Sequence, residues 1–103
     1  MKDNIPLNDT QQIKLISDSP DELLLQAQKA MEDGNFQFAI KNLRKLSQDE
    51  NYLGQVKDML EDACLKFPQE TSLWLNLGEI YHRLNDNEKA LEVFIRAQKQ
   101  ISL

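Results

Sequence analysis

The sequence predicts an all-α protein, and three observations support this prediction. Apolar residues recur at intervals of three and four from residue 20 onwards, and no segment alternates with the period of a β-strand. The 103 residues include only three Gly and three Pro, too few for the turns of an all-β sandwich. Capping and terminating residues separate the apolar stripes at short intervals, so we expect about five helices whose neighbours run antiparallel.

The first two helices have clear start and end signals. Ser19 is a good N-cap residue, Pro20 suits the first helical position, and an acidic residue three positions after the cap completes a capping box. Gly34 is a natural left-handed helix terminator. These signals predict a helix over 20–33. A second apolar stripe predicts a helix over about 36–48.

Three more helices are expected in the second half of the chain. The third, over about 52–67, has the cleanest amphipathic pattern and is ended by Pro68. The fourth is expected over about 72–84. It ends at an Asn-Asp-Asn turn, whose side chains tolerate left-handed backbone and can cap the next helix. The fifth is expected over about 88–101.

The N-terminal segment, 1–18, differs from the rest of the chain. It is polar around a short apolar patch and shows no sustained period, so it is expected to be a flexible N-terminal tail. The alternative is a docking segment that places Ile13 and Ile16 in a groove of this chain or of another chain.

Composition excludes several classes of function. With 12 basic and 17 acidic residues, the net charge of −5 argues against nucleic-acid binding, which needs clustered Lys and Arg. No apolar run approaches the ~20 residues that span a bilayer, so membrane insertion is not expected. A single Cys cannot form an internal disulfide, and the first residues lack the apolar core of a signal peptide. The cytoplasm is therefore the default location.

Enzymatic activity is not expected. His82 is the only histidine, and Cys64 lies in an apolar stripe, where a thiol usually acts as a small buried hydrophobe. No residues suggest a catalytic triad, a phosphate-binding loop or a set of metal ligands. We therefore expect no cofactor and no metal.

The last third of the chain carries a motif with fixed spacing. Its residues are Trp74, Leu77, Gly78, Tyr81, Ala90, Phe94 and Ala97. This pattern resembles the tetratricopeptide repeat (TPR), a helix-turn-helix unit of about 34 residues. The resemblance is strong over 71–101, although Ser102 stands near where the family has a proline. It implies a right-handed helical solenoid.

Two repeat registers fit the residues upstream of the motif. In the first register, a shift of one repeat length makes 37–70 a degenerate repeat with its apolar skeleton kept, after a leading helix over 20–33 and before a full repeat over 71–103. The second register starts from the turn at Gly34, makes 20–50 a repeat and leaves an extra helix after it. Equivalent alanines are then one and a half repeats apart. The first register is favoured because an alanine and a proline fall at the family positions.

The resemblance implies a non-catalytic protein-interaction module: an adaptor, a co-chaperone or an assembly factor. In the family, the first helix of each repeat lines a concave groove that holds another protein or a peptide. By offset, the residues expected to line this groove are Lys41, Asn42, Lys45, Asn76, Glu79 and Arg83. An Asn at such a position often bonds the main chain of a bound peptide, because its amide donates and accepts. The alternative interpretation of Lys41, Asn42 and Lys45 is that they form an ordinary solvent-exposed helix face with no ligand.

A second function class is a self-associating structural subunit of a larger complex. Leu91 and Ile95 form an apolar pair on the flank of the last helix, and Leu24 lies among three consecutive leucines at the other end. Such exposed pairs at the ends of a repeat stack favour stacking on a second copy, so a homodimer is expected in this alternative. The same flank would also be left by cutting a longer repeat protein.

Overall fold

A computed structural model of the chain describes residues 19–102, and the tail predicted over 1–18 lies outside them. The described chain is all-α, as predicted, and has no β-strand. A single 3₁₀ turn at Glu50–Tyr52 precedes the third helix. The five α-helices, in order, are α1 Pro20–Glu32, α2 Phe36–Leu46, α3 Leu53–Lys66, α4 Thr71–Arg83 and α5 Asn87–Ser102.

Local signals define the helix ends. The Ser19 side chain accepts a hydrogen bond from the Glu22 amide at 3.3 Å, and Pro20 occupies the first turn. The turns after α1 and α4 each contain one residue with left-handed backbone, Gly34 with φ 79° and Asn85 with φ 65°. Both turns were expected at these residues.

The helices pack as two closely paired hairpins with α3 between them. Helix α1 packs along α2, and α4 packs along α5, while α3 packs mainly on α4 and makes a smaller contact with α2. The described part of the chain is elongated, with extents of 59 × 27 × 18 Å. The first register pairs α2 with α3, whereas the closest neighbour of α2 in the structure is α1.

The two hairpins are spaced as repeats of one another. The offset from the start of α1 to the start of α4 equals the offset from the start of α2 to the start of α5, and it is about one and a half lengths of a TPR unit. The turns carry the same bonds: the Asn35 amide donates to the Ala30 carbonyl at 2.8 Å, and the Asp86 amide donates to the Tyr81 carbonyl at 2.9 Å. The structure therefore contains one turn conformation twice, at the spacing of the second register.

One apolar core runs through all five helices. Its largest fully buried side chains come from different elements: Leu43 of α2, Val56, Leu60 and Cys64 of α3, and Leu73 of α4. Leu residues of this kind, removed from water on every side, supply most of the stabilisation of such a stack.

The two helices of the α4–α5 hairpin approach each other closely at Gly78. A Cβ added to Gly78 would lie 2.5 Å from the Phe94 ring, so only glycine lets the two helices come this close. At the far end of the hairpin the Arg96 guanidinium lies 4.7 Å above the Trp74 ring, a cation–π contact. The spacing of the sequence motif thus corresponds to real packing between α4 and α5.

Candidate partner-binding groove

A groove of about 610 Å³ lies between α2, α3 and α4. Its floor is apolar and is contributed by three helices and the Phe94 ring of α5. The apolar lining residues are Ile40, Leu43, Val56, Leu60, Ile80 and Phe94. The polar lining residues are Arg44, Ser47, Gln48, Asn76, Glu79, His82 and Arg83. An apolar floor with a few polar groups around it is the usual make-up of a binding site.

The polar groups form a bridge between α2 and α4. The Arg83 Nη1 donates to the Ser47 hydroxyl at 3.2 Å, and that hydroxyl donates to the Arg44 carbonyl oxygen at 2.9 Å. The Arg44 guanidinium also lies 4.0 Å from the Glu79 carboxylate, and both side chains are more than half exposed. Exposed ion pairs of this kind contribute only about 0–1 kcal/mol, so a ligand can displace the pair at little cost.

Asn76 is held in a fixed orientation beside this bridge. Its Nδ2 donates to the Ser72 carbonyl oxygen at 2.8 Å, and the residue is half-buried. This back-bond uses the amide nitrogen, while no hydrogen bond to the amide oxygen is found in the described residues. The oxygen is therefore available as a hydrogen-bond acceptor at the groove.

The structure brings half of the predicted groove residues together. Asn76, Glu79 and Arg83 line the groove, as the motif on α4 implied. Asn42 does not, because it is buried and its Nδ2 donates to the Gln26 side chain of α1 at 3.4 Å.

The two predicted lysines are also placed elsewhere. Lys45 lines a separate hollow beside Pro20 and Leu23, near the start of α1. Lys41 is exposed and lines neither that hollow nor the groove. The physical reason is the pairing of α2 with α1. The face of α2 that is turned toward α4 carries Arg44 and Ser47. The prediction instead turned the adjacent face, with Lys41 and Lys45, toward the groove.

Two groove residues were missed by sequence reasoning: Arg44 and Ser47. A signal for both exists in the helical period of α2. They lie one turn after Ile40 and Leu43, and therefore at the edge of the apolar stripe. Polar residues at the edge of an apolar helical stripe border the floor of a groove, whereas polar residues on the opposite face of the helix do not.

The residues of the predicted stacking face are separated. Leu91 and Ile95 lie together on the outer flank of α5, where they are 60% and 45% exposed. Leu24 is half-buried and lines a hollow of about 390 Å³ between α1 and α3, together with Met59 and Phe67. The three leucines of α1 therefore do not form one exposed patch with the end of the stack.

Two buried groups have raised pKa values. The Cys64 thiol is 1% exposed, and its burial raises its pKa to about 12. The hydroxyl of Tyr81 donates to the Glu61 carboxylate, and burial followed by that bond raises the Tyr81 pKa. The raised pKa values keep both groups in their neutral forms near neutral pH. A nucleophilic thiolate or a basic tyrosinate would instead have to be ionised.

Neither a cluster of metal ligands nor a membrane-spanning helix is found in residues 19–102. No three His, Cys, Asp or Glu side chains in residues 19–102 are grouped so that they could hold a metal ion. None of the described helices is both long enough and apolar enough to cross a membrane.

Comparison with known proteins gives no relative from which a function could be transferred. No protein-family model matches the chain, and neither the curated proteins nor the solved structures contain a significant match.

Proposed function

We propose that the chain is a non-catalytic protein-interaction module with a TPR-like fold, which binds a segment of another protein in the groove between α2 and α4. The observation that carries this proposal is the groove itself: an apolar floor beside two arginines, one oriented amide and an exposed ion pair. A cytoplasmic adaptor, co-chaperone or assembly factor needs a surface of this kind.

The TPR-like assignment is supported by packing. The motif glycine, Gly78, is small because the Phe94 ring lies against it. Two copies of the same hairpin turn, at equal offsets from their helices, support a repeat origin. The repeat units are then α1–α2 and α4–α5, and α3 is an additional helix, as in the second register and not the favoured first one.

The chemistry of the groove selects its ligand. Arg44 and Arg83 outnumber the single carboxylate of Glu79, and guanidinium groups bind carboxylates through paired hydrogen bonds. The Phe94 ring and Ile40 provide an apolar floor next to them. We therefore propose an extended segment with one apolar anchor residue beside an Asp or Glu.

The experiment is a selection of random 12-residue peptides on the full chain, followed by affinity measurements with synthetic copies of the selected peptides. We expect an apolar residue next to Asp or Glu in the selected sequences. Arg83→Ala should weaken their binding about tenfold, because a hydrogen bond to a charged group is lost. Lys41→Ala removes a positive charge outside the groove and is the matched control.

A second variant tests the charge reasoning. Glu79→Gln keeps the shape of the side chain and removes the carboxylate that opposes an acidic ligand, so it should strengthen binding about twofold to threefold. The proposal is wrong if Arg83→Ala and Lys41→Ala have equal effects, or if Glu79→Gln weakens binding of acidic peptides while the helix content stays unchanged.

A further inference from the structure

The repeated hairpin makes two helix faces directly comparable. Ile40 of α2 and Leu91 of α5 occupy equivalent positions in their hairpins. Ile40 is 9% exposed, because α2 contacts α3 and α4 on that side, whereas Leu91 is 60% exposed. Within residues 19–102, a face that is covered by helices in the first hairpin is thus exposed at Leu91 in the second.

This open face is more apolar than its covered counterpart. At the position where α2 has Arg44, which forms an ion pair with Glu79, α5 has Ile95. Leu91 and Ile95 are one helical turn apart and therefore form a continuous apolar patch. An apolar pair at a position that normally contacts another helix indicates that a helix covers it.

The charges beside the patch are arranged with opposite signs at its two ends. Glu88 lies about one turn before Leu91, and Lys99 lies one turn after Ile95, on the same side of the helix. Both are exposed, and no ion pair is found for either within residues 19–102. Glu92, which is also exposed, adds a second carboxylate beside the patch in the same half of the helix as Glu88. The surface is therefore acidic toward the start of the helix and basic toward its end, and such a surface is complementary to itself after a half-turn rotation.

We propose that two copies of this chain associate through α5, with the two helices antiparallel across a two-fold axis. Leu91 of one copy then contacts Ile95 of the other, and Glu88 lies opposite the partner's Lys99 at both ends of the contact. Antiparallel alignment also places opposite ends of the helix dipoles side by side. This contact is isologous and closes on itself, so it yields a dimer and not a filament.

The self-complementary charge pattern favours a second copy over a foreign helix. One helix face is at the low end of interface sizes, so the dimer is expected to be weak and concentration-dependent. The contact lies on the outer flank of α5, away from Arg83 and Asn76. The inference is independent of the proposed groove, and either can fail without the other.

The first test is the molar mass of the full chain by sedimentation velocity, from about 5 μM to 1 mM. The mass should rise from the monomer value of 12.0 kDa toward twice that value. Ile95→Glu should keep the chain monomeric over the range. Leu65→Glu is the matched control, because Leu65 is 78% exposed on α3 and should leave the dimer unchanged.

The second test is a charge swap that does not depend on core packing. Glu88→Lys and Lys99→Glu should each weaken the dimer about tenfold, because each creates two like-charge contacts per dimer. The double variant restores both pairs with reversed signs and should recover wild-type association. A monomer at all concentrations overturns the proposal, as does a dimer that survives Ile95→Glu. A double variant weaker than both single variants overturns the antiparallel alignment.

Discussion

Replacing Gly78 with Ala perturbs the closest approach between α4 and α5. The added Cβ would lie 2.5 Å from Cε1, 2.7 Å from Cζ and 2.8 Å from Cδ1 of the Phe94 ring. Carbon atoms in protein interiors pack at about 3.5–4.0 Å, so the ring edge must retreat by about 1 Å. The ring is half-buried and packs against the core, so its movement disturbs other contacts.

The expected magnitude is a balance of two opposing terms. Ala is favoured over Gly in a helix interior by about 1 kcal/mol. Overpacking of a closely packed contact costs about 1–3 kcal/mol. The net result for Gly78→Ala is a loss of about 1 kcal/mol in the free energy of unfolding, which lowers the melting temperature of a domain of this size by about 4–8 °C.

The assay is urea denaturation followed by circular dichroism, with Gly54→Ala as the matched control. Gly54 is also helical, but an added Cβ there meets nothing within 4 Å, so this variant should gain up to about 1 kcal/mol from helix propensity. In a Phe94→Leu background the cost of Gly78→Ala should largely disappear. Equal stabilisation by Gly78→Ala and Gly54→Ala would show that the Phe94 ring does not limit the side chain at position 78.

Further variants, a thiol modification and a pH dependence test the turns and the buried groups. Asn85→Ala and Gly34→Ala should each lose about 1–2 kcal/mol in thermal unfolding, because both positions have left-handed backbone, whereas Asn85→Gly should not. Tyr81→Phe removes the hydrogen bond to Glu61 and should cost about 1 kcal/mol in urea denaturation. At pH 8 Cys64 should react with a thiol reagent only as fast as the chain opens, because the thiol is 1% exposed and its pKa is raised to about 12. The thiol of the unfolded chain ionises near pH 9, whereas the buried thiol ionises near pH 12. The free energy of unfolding should therefore keep the full contribution of the buried neutral thiol below pH 9 and should lose it as the pH rises toward 12.

The helices could be predicted from the sequence because their signals are local. Ser19 caps α1, Pro68 follows α3, and Asn85 supplies the left-handed residue between α4 and α5, as expected. The observed helix ends lie close to the predicted ones. Capping and turn formation depend on neighbours within one helical turn, and those neighbours are visible in the sequence.

The pairing of the helices could not be predicted in the same way. Amphipathic helices of similar length match the apolar positions of a repeat in more than one register. The fit of Ala63 and Pro68 to the first register therefore did not determine which helices are neighbours. The turn at Gly34 was the better indicator of the repeat register, because its left-handed backbone conformation recurs at Asn85. A shared turn identifies equivalent positions more specifically than a shared apolar stripe does.

The pairing of α2 with α1 explains why Asn42 lies outside the groove. Asn42 was expected there because the first register places it one repeat length before Asn76, but its side-chain amide donates to Gln26 on the preceding helix, α1. Only the neighbour of α2 determines whether such a residue faces solvent or another helix. Residues on α4, such as Asn76 and Arg83, were placed in the groove because the motif located their helix independently of the upstream register.

The position of α3 links the two proposed surfaces. It has a contact with α2 and packs on α4, and these three helices enclose the groove. In the described residues no corresponding helix lies against α5, which is why the position equivalent to Ile40 is exposed at Leu91. The face of α2 at Ile40 is therefore covered by α3 and α4, whereas the equivalent face of α5 is uncovered in the described residues. Because the groove and the outer flank of α5 are separate surfaces, Arg83→Ala should reduce peptide binding and Ile95→Glu should abolish association, and each variant should leave the other property at its wild-type value.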